Sequence, residues 1–215
     1  MKNLLTITTF LLFSSFYILS QTPDLFNENT TITWLGMDFS HLKITGDFSQ
    51  FTGNGTVDEK EIKDKYFPGW NDLFVNEPNK YDIKGMLDKN NISYDINMIN
   101  EINLMTDISQ MRSYNIPGYT SEDIQSFVKQ YDLSKVEKKD GIGIVFIAET
   151  FNKVNKIAYF HFVALDLKTG NIILQDRLSG SPQGFGIRNY WAGAFYKVIK
   201  NIDKKKYKSW EESNL

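Results

Sequence analysis

The stretch GIGIVFIAETFNKVNKIAYFHFVALDLKTGNIILQDRL, residues 141–178, decides the fold. Residues 141–150 and 156–167 are apolar at odd and even positions alike, which is typical of strands that are covered on both faces. After the turn KTGN, residues 172–178 alternate between apolar and polar side chains, as a half-exposed strand does. Three consecutive strands joined by short turns predict an antiparallel meander.

The last strand of the meander predicts which side chains lie on each face of the sheet, and the segment after it predicts a helix. Ile172, Leu174 and Leu178 are expected on one face of the strand, and Gln175 and Arg177 on the other. The next segment, NYWAGAFYKVIKNI, has apolar side chains at helical spacing and predicts a C-terminal helix. Its stripe comprises Tyr190 or Trp191, with Ala194, Phe195, Val198, Ile199 and Ile202.

The first half of the chain predicts a strand followed by an interrupted helix. Residues 31–39, TITWLGMDF, are rich in β-branched and aromatic side chains, which favour a strand. Residues 57–87 begin with acidic side chains, as helices do, but Pro68 and Gly69 are expected to break or kink that helix.

The middle of the chain predicts a further strand and a second helix. Residues 92–105 are interpreted as a strand that runs into irregular chain. Thr120 stands three residues before Asp123, close to a capping box, and apolar side chains follow at helical spacing to about residue 133.

Together these elements predict an α/β fold with an α+β tendency. One mixed sheet carries packed helices, and an antiparallel meander is followed by a C-terminal helix. No internal repeat or linker divides the chain, so residues 31–203 are predicted to form a single domain. Residues 21–30 are interpreted as a flexible N-terminal arm and residues 204–215 as a polar C-terminal tail.

Residues 1–20 have the order of a secretory signal peptide. Lys2 precedes an apolar run from Leu4 to Leu19, and the small residue Ser20 stands before the expected cut. A membrane anchor is the alternative, but spanning a bilayer takes about 20 mostly apolar residues, and this run is shorter and contains several hydroxyl side chains. No second such run follows. The sequence therefore predicts an exported protein, periplasmic or extracellular, without an integral membrane segment after cleavage.

Composition argues against several functions. The 24 Lys and Arg residues against 26 Asp and Glu give a net charge of −2, which does not provide the positive field that non-specific nucleic-acid binding needs. The chain has no cysteine, so neither a disulfide framework nor a lipid-attachment cysteine exists. The oligomeric state is left open by the sequence.

The segment SGSPQGFGIRNYW, residues 179–191, has the glycine spacing of a dinucleotide-binding turn. Gly180, Gly184 and Gly186 stand between a strand and a helix, where glycines let the backbone approach a pyrophosphate. Too little chain follows Gly186 to build the rest of a dinucleotide-binding sheet, so this function is rejected and no cofactor is predicted.

Two interpretations of this glycine-rich loop remain. A small anion could lie at the start of the helix, which makes Gly184, Gly186, Arg188 and Asn189 the candidate ligand-binding residues. The structural alternative is a tight loop against the sheet, beneath which Phe185, Tyr190 and Trp191 fill the core.

No catalytic or metal-binding residues are predicted. The sequence has no G-x-S-x-G motif and no serine visibly matched to a base. His41 and His161 are not spaced as a metal-ligating pair, and His161 is predicted to be a neutral, hydrogen-bonded core histidine. Glu149 is the acid of first interest because it ends a strongly apolar strand, although acids at strand ends are usually only solvated.

The order of elements and the hairpin VALDLKTGNIILQDRL, residues 163–178, resemble small exported α/β domains of bacterial envelope assembly. Examples are the N-terminal domain of TolB, the lipoprotein activators of penicillin-binding proteins and the periplasmic part of the curli secretion channel. The stretch GFGIRNYW, residues 184–191, also resembles a recurrent feature of uncharacterised exported proteins of Gram-negative bacteria. This chain departs from the lipoproteins because it lacks a lipidated cysteine.

Two functional hypotheses follow. The export signal and the absence of an assembled catalytic set favour a non-catalytic module of the cell envelope that binds a protein or glycan partner. The alternative is a small-ligand or anion-binding protein, or an enzyme, with its site in the loop from Gly180 to Arg188.

Overall fold

The computed structural model describes residues 24–48 and 57–214, and its centre is one mixed sheet with the strand order β3-β1-β4-β5-β6. The strands are β1 (Ile32–Asp38), β2 (Lys43–Thr45), β3 (Ile92–Tyr94), β4 (Ile142–Asn152), β5 (Ile157–Asp166) and β6 (Ile172–Gly180). Strand β1 runs parallel to β3 and β4, and β2 pairs with β4 beyond the end of β1. Strands β4, β5 and β6 form the antiparallel meander, so the predicted fold class is confirmed.

Helices cover both faces of this sheet. They are α1 (Glu59–Glu61), α2 (Phe67–Asn76), α3 (Ile83–Met86), α4 (Asn97–Leu104), α5 (Ser121–Val128), α6 (Gly186–Asn201) and α7 (Tyr207–Asn214). The larger core lies on the first face, beneath α2, α6 and α7, and the smaller core lies on the second face, beneath α4 and α5. Within the described residues, no helix is both long enough and apolar enough to span a membrane.

The helix does not break at Pro68 and Gly69, and of the predicted break or kink only a local distortion of the helix is found. The chain is helical from Glu59 to Asn76, with a π-helical turn at Ile62–Tyr66 directly before the proline. The Phe67 N–H donates to the Ile62 carbonyl, one residue further back than in an α-helix. A wider turn at this point is consistent with Pro68, whose ring would clash with a carbonyl in regular α geometry.

The prediction of irregular chain after β3 is wrong, because residues 97–104 form helix α4. Strand β3 is only three residues long, and two buried asparagines bind the backbone of β1 where it extends beyond β3. Asn71 on α2 accepts the Met37 N–H at 2.6 Å, and Asn103 on α4 accepts the Phe39 N–H at 2.6 Å. Both side-chain amides also donate to the Met37 carbonyl. Helix α4 is thus tied to the sheet by polar bonds as well as by its apolar face.

The meander matches the sequence prediction except at two bulges, one at Glu149 in β4 and one in β6. All eleven residues of β4 are buried, as its two-sided apolar pattern predicts. In β6, Ala164 pairs with Leu174 whereas Leu165 pairs with Ile172, so Ile173 is an extra residue in the ladder. The bulge moves Ile172 to the second face, while Leu174 packs on the first. The expectation that Ile172 shares a face with Leu174 and Leu178 is therefore wrong.

The predicted start of α5 is confirmed, but this helix ends at Val128 rather than near residue 133, and α6 begins at Gly186, three residues before the predicted start at Asn189. Thr120 and Asp123 form a complete capping box at the start of α5. The predicted stripe of α6 is buried, and of the alternatives Tyr190 and Trp191 it is Trp191 that is fully buried.

Residues near both ends of the described chain pack on the body of the protein. Leu25, in the segment interpreted as an arm, lies in the larger core, and Phe26 contacts the ring of Tyr207 at 5.5 Å. The segment interpreted as a polar tail is helical up to Asn214. Its Trp210 is buried against Phe162, with ring centroids 4.7 Å apart.

Candidate functional site

Glu149 lies at a β-bulge in β4. Ala148 pairs with Phe160 and Thr150 with Tyr159, so Glu149 is an extra residue without a partner in the β5 ladder. A bulge re-aims the side chain of the strand that carries it, and bulges are over-represented next to functional sites. Here the carboxylate is aimed at the second face of the sheet, towards side chains of β5 and β6.

Four groups donate hydrogen bonds to this carboxylate. Arg177 on β6 binds it in a bidentate manner, with Nε 2.6 Å from Oε2 and Nη2 2.7 Å from Oε1. His161 on β5 places Nε2 3.0 Å from Oε2, and the Gly118 N–H lies 3.2 Å from Oε1. Register brings the two side chains together, because His161 and Arg177 are directly opposite each other.

The Glu149 carboxylate is ionised as a consequence of these contacts. Burial raises the pKa of this fully buried group, but the hydrogen bonds and charge of Arg177, together with His161, outweigh burial and lower the pKa from 4.5 to about 2. An ionised carboxylate only accepts hydrogen bonds, so the Nε2 atom of His161 carries the proton. The prediction of a hydrogen-bonded core histidine is confirmed, whereas the expectation of a merely solvated Glu149 is wrong.

The Arg177 guanidinium lies over an aromatic ring at the surface. Its guanidinium carbon is 4.0 Å from the ring centroid of Tyr159, and its side chain is 39% exposed. Ser179 is opposite Tyr159 in the ladder, and Gln175 lies two residues before Arg177 on the same strand. Because residues two apart share a face, these four side chains lie on the second face of β5 and β6. We name this surface, Tyr159, Gln175, Arg177 and Ser179, the Tyr159–Arg177 platform.

The platform lies beyond the apolar packing of the second face. The smaller core includes Val163 and Leu165 of β5 and contacts Ile172 of β6. Further along the same face, at the start of β5 and the end of β6, the side chains are polar or aromatic instead of aliphatic. Arg177 and Ser179 are exposed, and Tyr159 and Gln175 are half-buried. The sheet therefore presents an open polar and aromatic strip beside a helix-covered region.

An aromatic cluster lies next to His161, whose ring centroid is 6.5 Å from that of Tyr119. His41 stacks on Phe127 with ring centroids 3.5 Å apart, and the Tyr119 hydroxyl donates to the His41 carbonyl at 2.8 Å. Burial lowers the pKa of His41 against the opposing effect of Asp38. Burial and the negative charge of Glu149 raise the pKa of Tyr119 to about 12, so this phenol stays protonated. In the part of the chain that the structure describes, no three acidic or histidine side chains are arranged to hold a metal ion.

The predicted ligand-binding residues Gly184, Gly186, Arg188 and Asn189 come together at the start of α6. Gly184 and Gly186 have φ values of +140° and +73°, which favour glycine. The Arg188 guanidinium is 48% exposed, lies 3.7 Å from a Glu77 carboxylate oxygen and lies 3.4 Å from Asn189 Oδ1. The positive charge of Arg188 is therefore partly compensated by the Glu77 carboxylate of the same molecule.

This loop is held tightly on α6, but Phe185 does not fill the core. The Gln183 N–H donates to the Tyr190 carbonyl at 3.0 Å, and a Cβ atom on Gly193 would lie 2.2 Å from the Gln183 carbonyl oxygen. The backbone of the loop therefore lies directly against α6. Phe185 is 93% exposed, which corrects the prediction that it packs beneath the loop.

Sequence reasoning identified Glu149 and His161 separately but missed Arg177 and Tyr159. An arginine in the polar half of an alternating strand is ordinarily a solvated side chain. The pairing of His161 with Arg177 and the bulge at Glu149 depend on strand register, which a single sequence does not specify. One signal in the sequence could have indicated the site: three consecutive predicted strands each carry an ionisable residue, namely Glu149, His161 and Arg177.

Comparisons with known proteins do not assign this chain to a family. No protein-family model and no curated protein matches this chain. Among solved structures, one match is a Helicobacter pylori protein described as a homolog of neuraminyllactose-binding hemagglutinin, at 11% identity and a TM-score of 0.37. The match covers 92% of this chain and 95% of the other. A similarity at this level carries no argument about fold or ligand, and it does not support the resemblance to TolB or to the lipoprotein activators.

Proposed function

We propose that this protein is an exported, non-catalytic module that binds a glycan of the cell envelope through the Tyr159–Arg177 platform. The observation that carries the proposal is the locked arrangement of Arg177, which Glu149 holds against the exposed side of the sheet through two hydrogen bonds. Export rests on the signal sequence in residues 1–20.

The platform has the chemistry that sugars require. Arg177 is stacked over the Tyr159 ring and has N–H donors that Glu149 does not use, and Tyr159 adds an aromatic ring edge and a phenol hydroxyl. Gln175 and Ser179 supply further donors and acceptors on the same face. Since the ion pair fixes the guanidinium before a ligand arrives, binding costs little additional side-chain entropy.

Charge balance favours a neutral sugar over an acidic one. The negative charge of Glu149 compensates Arg177, and the edge of the guanidinium formed by Nε and Nη2 is occupied by that carboxylate. A uronate or sialate would therefore meet a positive charge that is only partly available, and it would not find that bidentate edge. The hydroxyl groups of a neutral sugar can accept hydrogen bonds from the N–H groups of Arg177 that Glu149 does not bind.

The same geometry argues for binding without catalysis. Glu149 and His161 are the acid and base that a hydrolase would need, but they are 0% and 1% exposed and bind each other. A general acid or base must come within hydrogen-bond reach of the substrate. The exposed side of the site offers Arg177, which stays protonated and transfers no proton at neutral pH.

The test is affinity electrophoresis and calorimetry of the purified protein against neutral β-linked and α-linked oligosaccharides, with polygalacturonate as the acidic comparison. We expect at least one neutral saccharide to bind, and Tyr159→Ala to lose that binding. Tyr114→Ala is the matched control, because Tyr114 is a 98% exposed tyrosine outside the platform. Binding that Tyr159→Ala leaves intact, or no binding to any neutral saccharide, would refute the proposal.

The anion-binding loop at Gly184, Gly186, Arg188 and Asn189 stays a prediction of the sequence. Calorimetry of the same protein with inorganic phosphate, compared with an Arg188→Ala variant, tests it separately. Fractionation of the producing cells tests whether the protein is periplasmic or extracellular.

A further inference from the structure

Strand β6 forms a long edge of the sheet. It is nine residues long, pairs with β5 on one side, and pairs with no other strand among residues 24–48 and 57–214. Unpaired backbone N–H and C=O groups along such an edge can accept another strand. Proteins protect such edges with proline, charged side chains or bulges. Residues 172–180 contain neither proline nor lysine, and the bulge at Ile173 lies at the start of the strand, so the ladder is regular from Leu174 to Gly180.

The two charged side chains of β6 are held on the faces of the sheet by partners of the same chain. Arg177 is bound to Glu149 on the second face. Asp176 accepts hydrogen bonds from Lys206 Nζ at 2.8 Å and from Trp210 Nε1 at 2.9 Å on the first face. Neither charge is therefore directed across the open edge as a barrier to an added strand.

We infer that β6 pairs in an antiparallel manner with β6 of a second copy of this chain, about a two-fold axis that passes by Asp176. The strand is complementary to itself in this register. Leu174 faces Leu178 of the partner subunit on the first face, and Gln175 faces Arg177 of the partner subunit on the second face. Each contact occurs twice because the interface is two-fold symmetric.

Alternative registers are less favourable. An axis at Arg177 would set two guanidinium groups opposite each other on the open face. An axis at Gln175 would set Arg177 opposite the bulged Ile173. In the proposed register the two Asp176 carboxylates face each other, but each is already neutralised by its own Lys206.

A two-fold axis perpendicular to the sheet places the first faces of both subunits on one side of the joined sheet and their second faces on the other side. Both Tyr159–Arg177 platforms then lie on one surface of a continuous twelve-stranded sheet formed from two six-stranded sheets. The dimer follows from the edge strand alone and does not depend on which ligand the platform takes.

The test is the molecular mass in solution of protein purified after expression of the full chain, by sedimentation equilibrium from about 1 to about 200 µM, a range suited to micromolar dimers. Gln175→Lys places a lysine opposite Arg177 of the partner subunit at two symmetric positions. We expect the dimer dissociation constant to rise about tenfold, equivalent to ~1.4 kcal/mol. Gln175→Glu should lower the constant, because it introduces an attraction at the same two positions.

Asn155→Lys is the matched control, since it adds the same charge in the exposed turn between β4 and β5. A dimer that Gln175→Lys weakens, Gln175→Glu strengthens and Asn155→Lys leaves unchanged supports the interface. A wild-type monomer throughout the concentration range overturns the inference. A dimer with equal dissociation constants in both Gln175 variants, or one that Asn155→Lys weakens equally, also overturns it.

Discussion

Replacing Glu149 by glutamine tests the ion pair that organises the site. The substitution keeps the shape of the side chain but removes the charge and presents an amide group where Arg177 and His161 need an acceptor. Because Glu149 is fully buried, the lost interactions cannot be replaced by water at that position. Arg177 can rehydrate in part, since its side chain is 39% exposed, which reduces the cost.

The magnitude follows from the pKa of the carboxyl group. A pKa lowered from 4.5 to about 2 corresponds to ~3 kcal/mol of stability from the ionised group, at about 1.4 kcal/mol for each unit. A lowered pKa in the folded protein means that this contribution is complete above the unfolded pKa and is lost as the pH falls towards about 2. Glu149→Gln should therefore cost ~3 kcal/mol at pH 7 and less than ~1 kcal/mol near pH 2.

The assay is urea unfolding followed by tryptophan fluorescence at several pH values between these limits, with linear extrapolation to zero denaturant. Glu122→Gln is the control, because Glu122 is exposed on α5 and should show a small loss at every pH. A Glu149→Gln loss that stays constant across the whole pH range would refute the reasoning, because the stability would then not depend on ionisation.

Two further substitutions test the packing that supports the site. Gly180→Ala would place a Cβ atom 2.3 Å from the Ala194 carbonyl oxygen, so we expect a loss of ~1–3 kcal/mol in urea unfolding. Its control, Gly69→Ala in helix α2, meets no atom within 4 Å and should gain ~0.5–1 kcal/mol; equal effects at the two glycines would contradict the close approach. Trp210→Ala removes a buried ring from the segment expected to be a polar tail and should cost ~3 kcal/mol, measured as a lowered Tm. An unchanged Tm would show that this helix does not stabilise the body.

The local sequence predicted much of the fold because its strongest patterns are local. The two-sided apolar pattern of β4, the capping box at Thr120 and the apolar stripe of α6 all depend on residues that are neighbours in the chain. Failures occur where a distant part of the chain changes the local preference. Helix α4 forms in a segment with a weak local signal, and its Asn103 binds the backbone of β1.

The site was less predictable than the fold. Glu149 was identified from its position in an apolar strand, but its partners lie on other strands. The candidate loop at Gly184 and Gly186 was recognised from glycine spacing, whereas the exposure of Phe185 depends on how closely that loop lies on α6. Composition and spacing do not contain this information, because contacts between distant residues depend on register and packing.

The sequence by itself determined the α/β class, the antiparallel meander and the C-terminal helix, since hydrophobic periodicity directly reflects which side chains face a core. Only the tertiary structure decided that Glu149, His161 and Arg177 form one hydrogen-bonded network and that Arg177 lies over Tyr159. The physical reason is a single extra residue in β4. The bulge aims a carboxylate at two donors on neighbouring strands, and burial requires that its charge be paired.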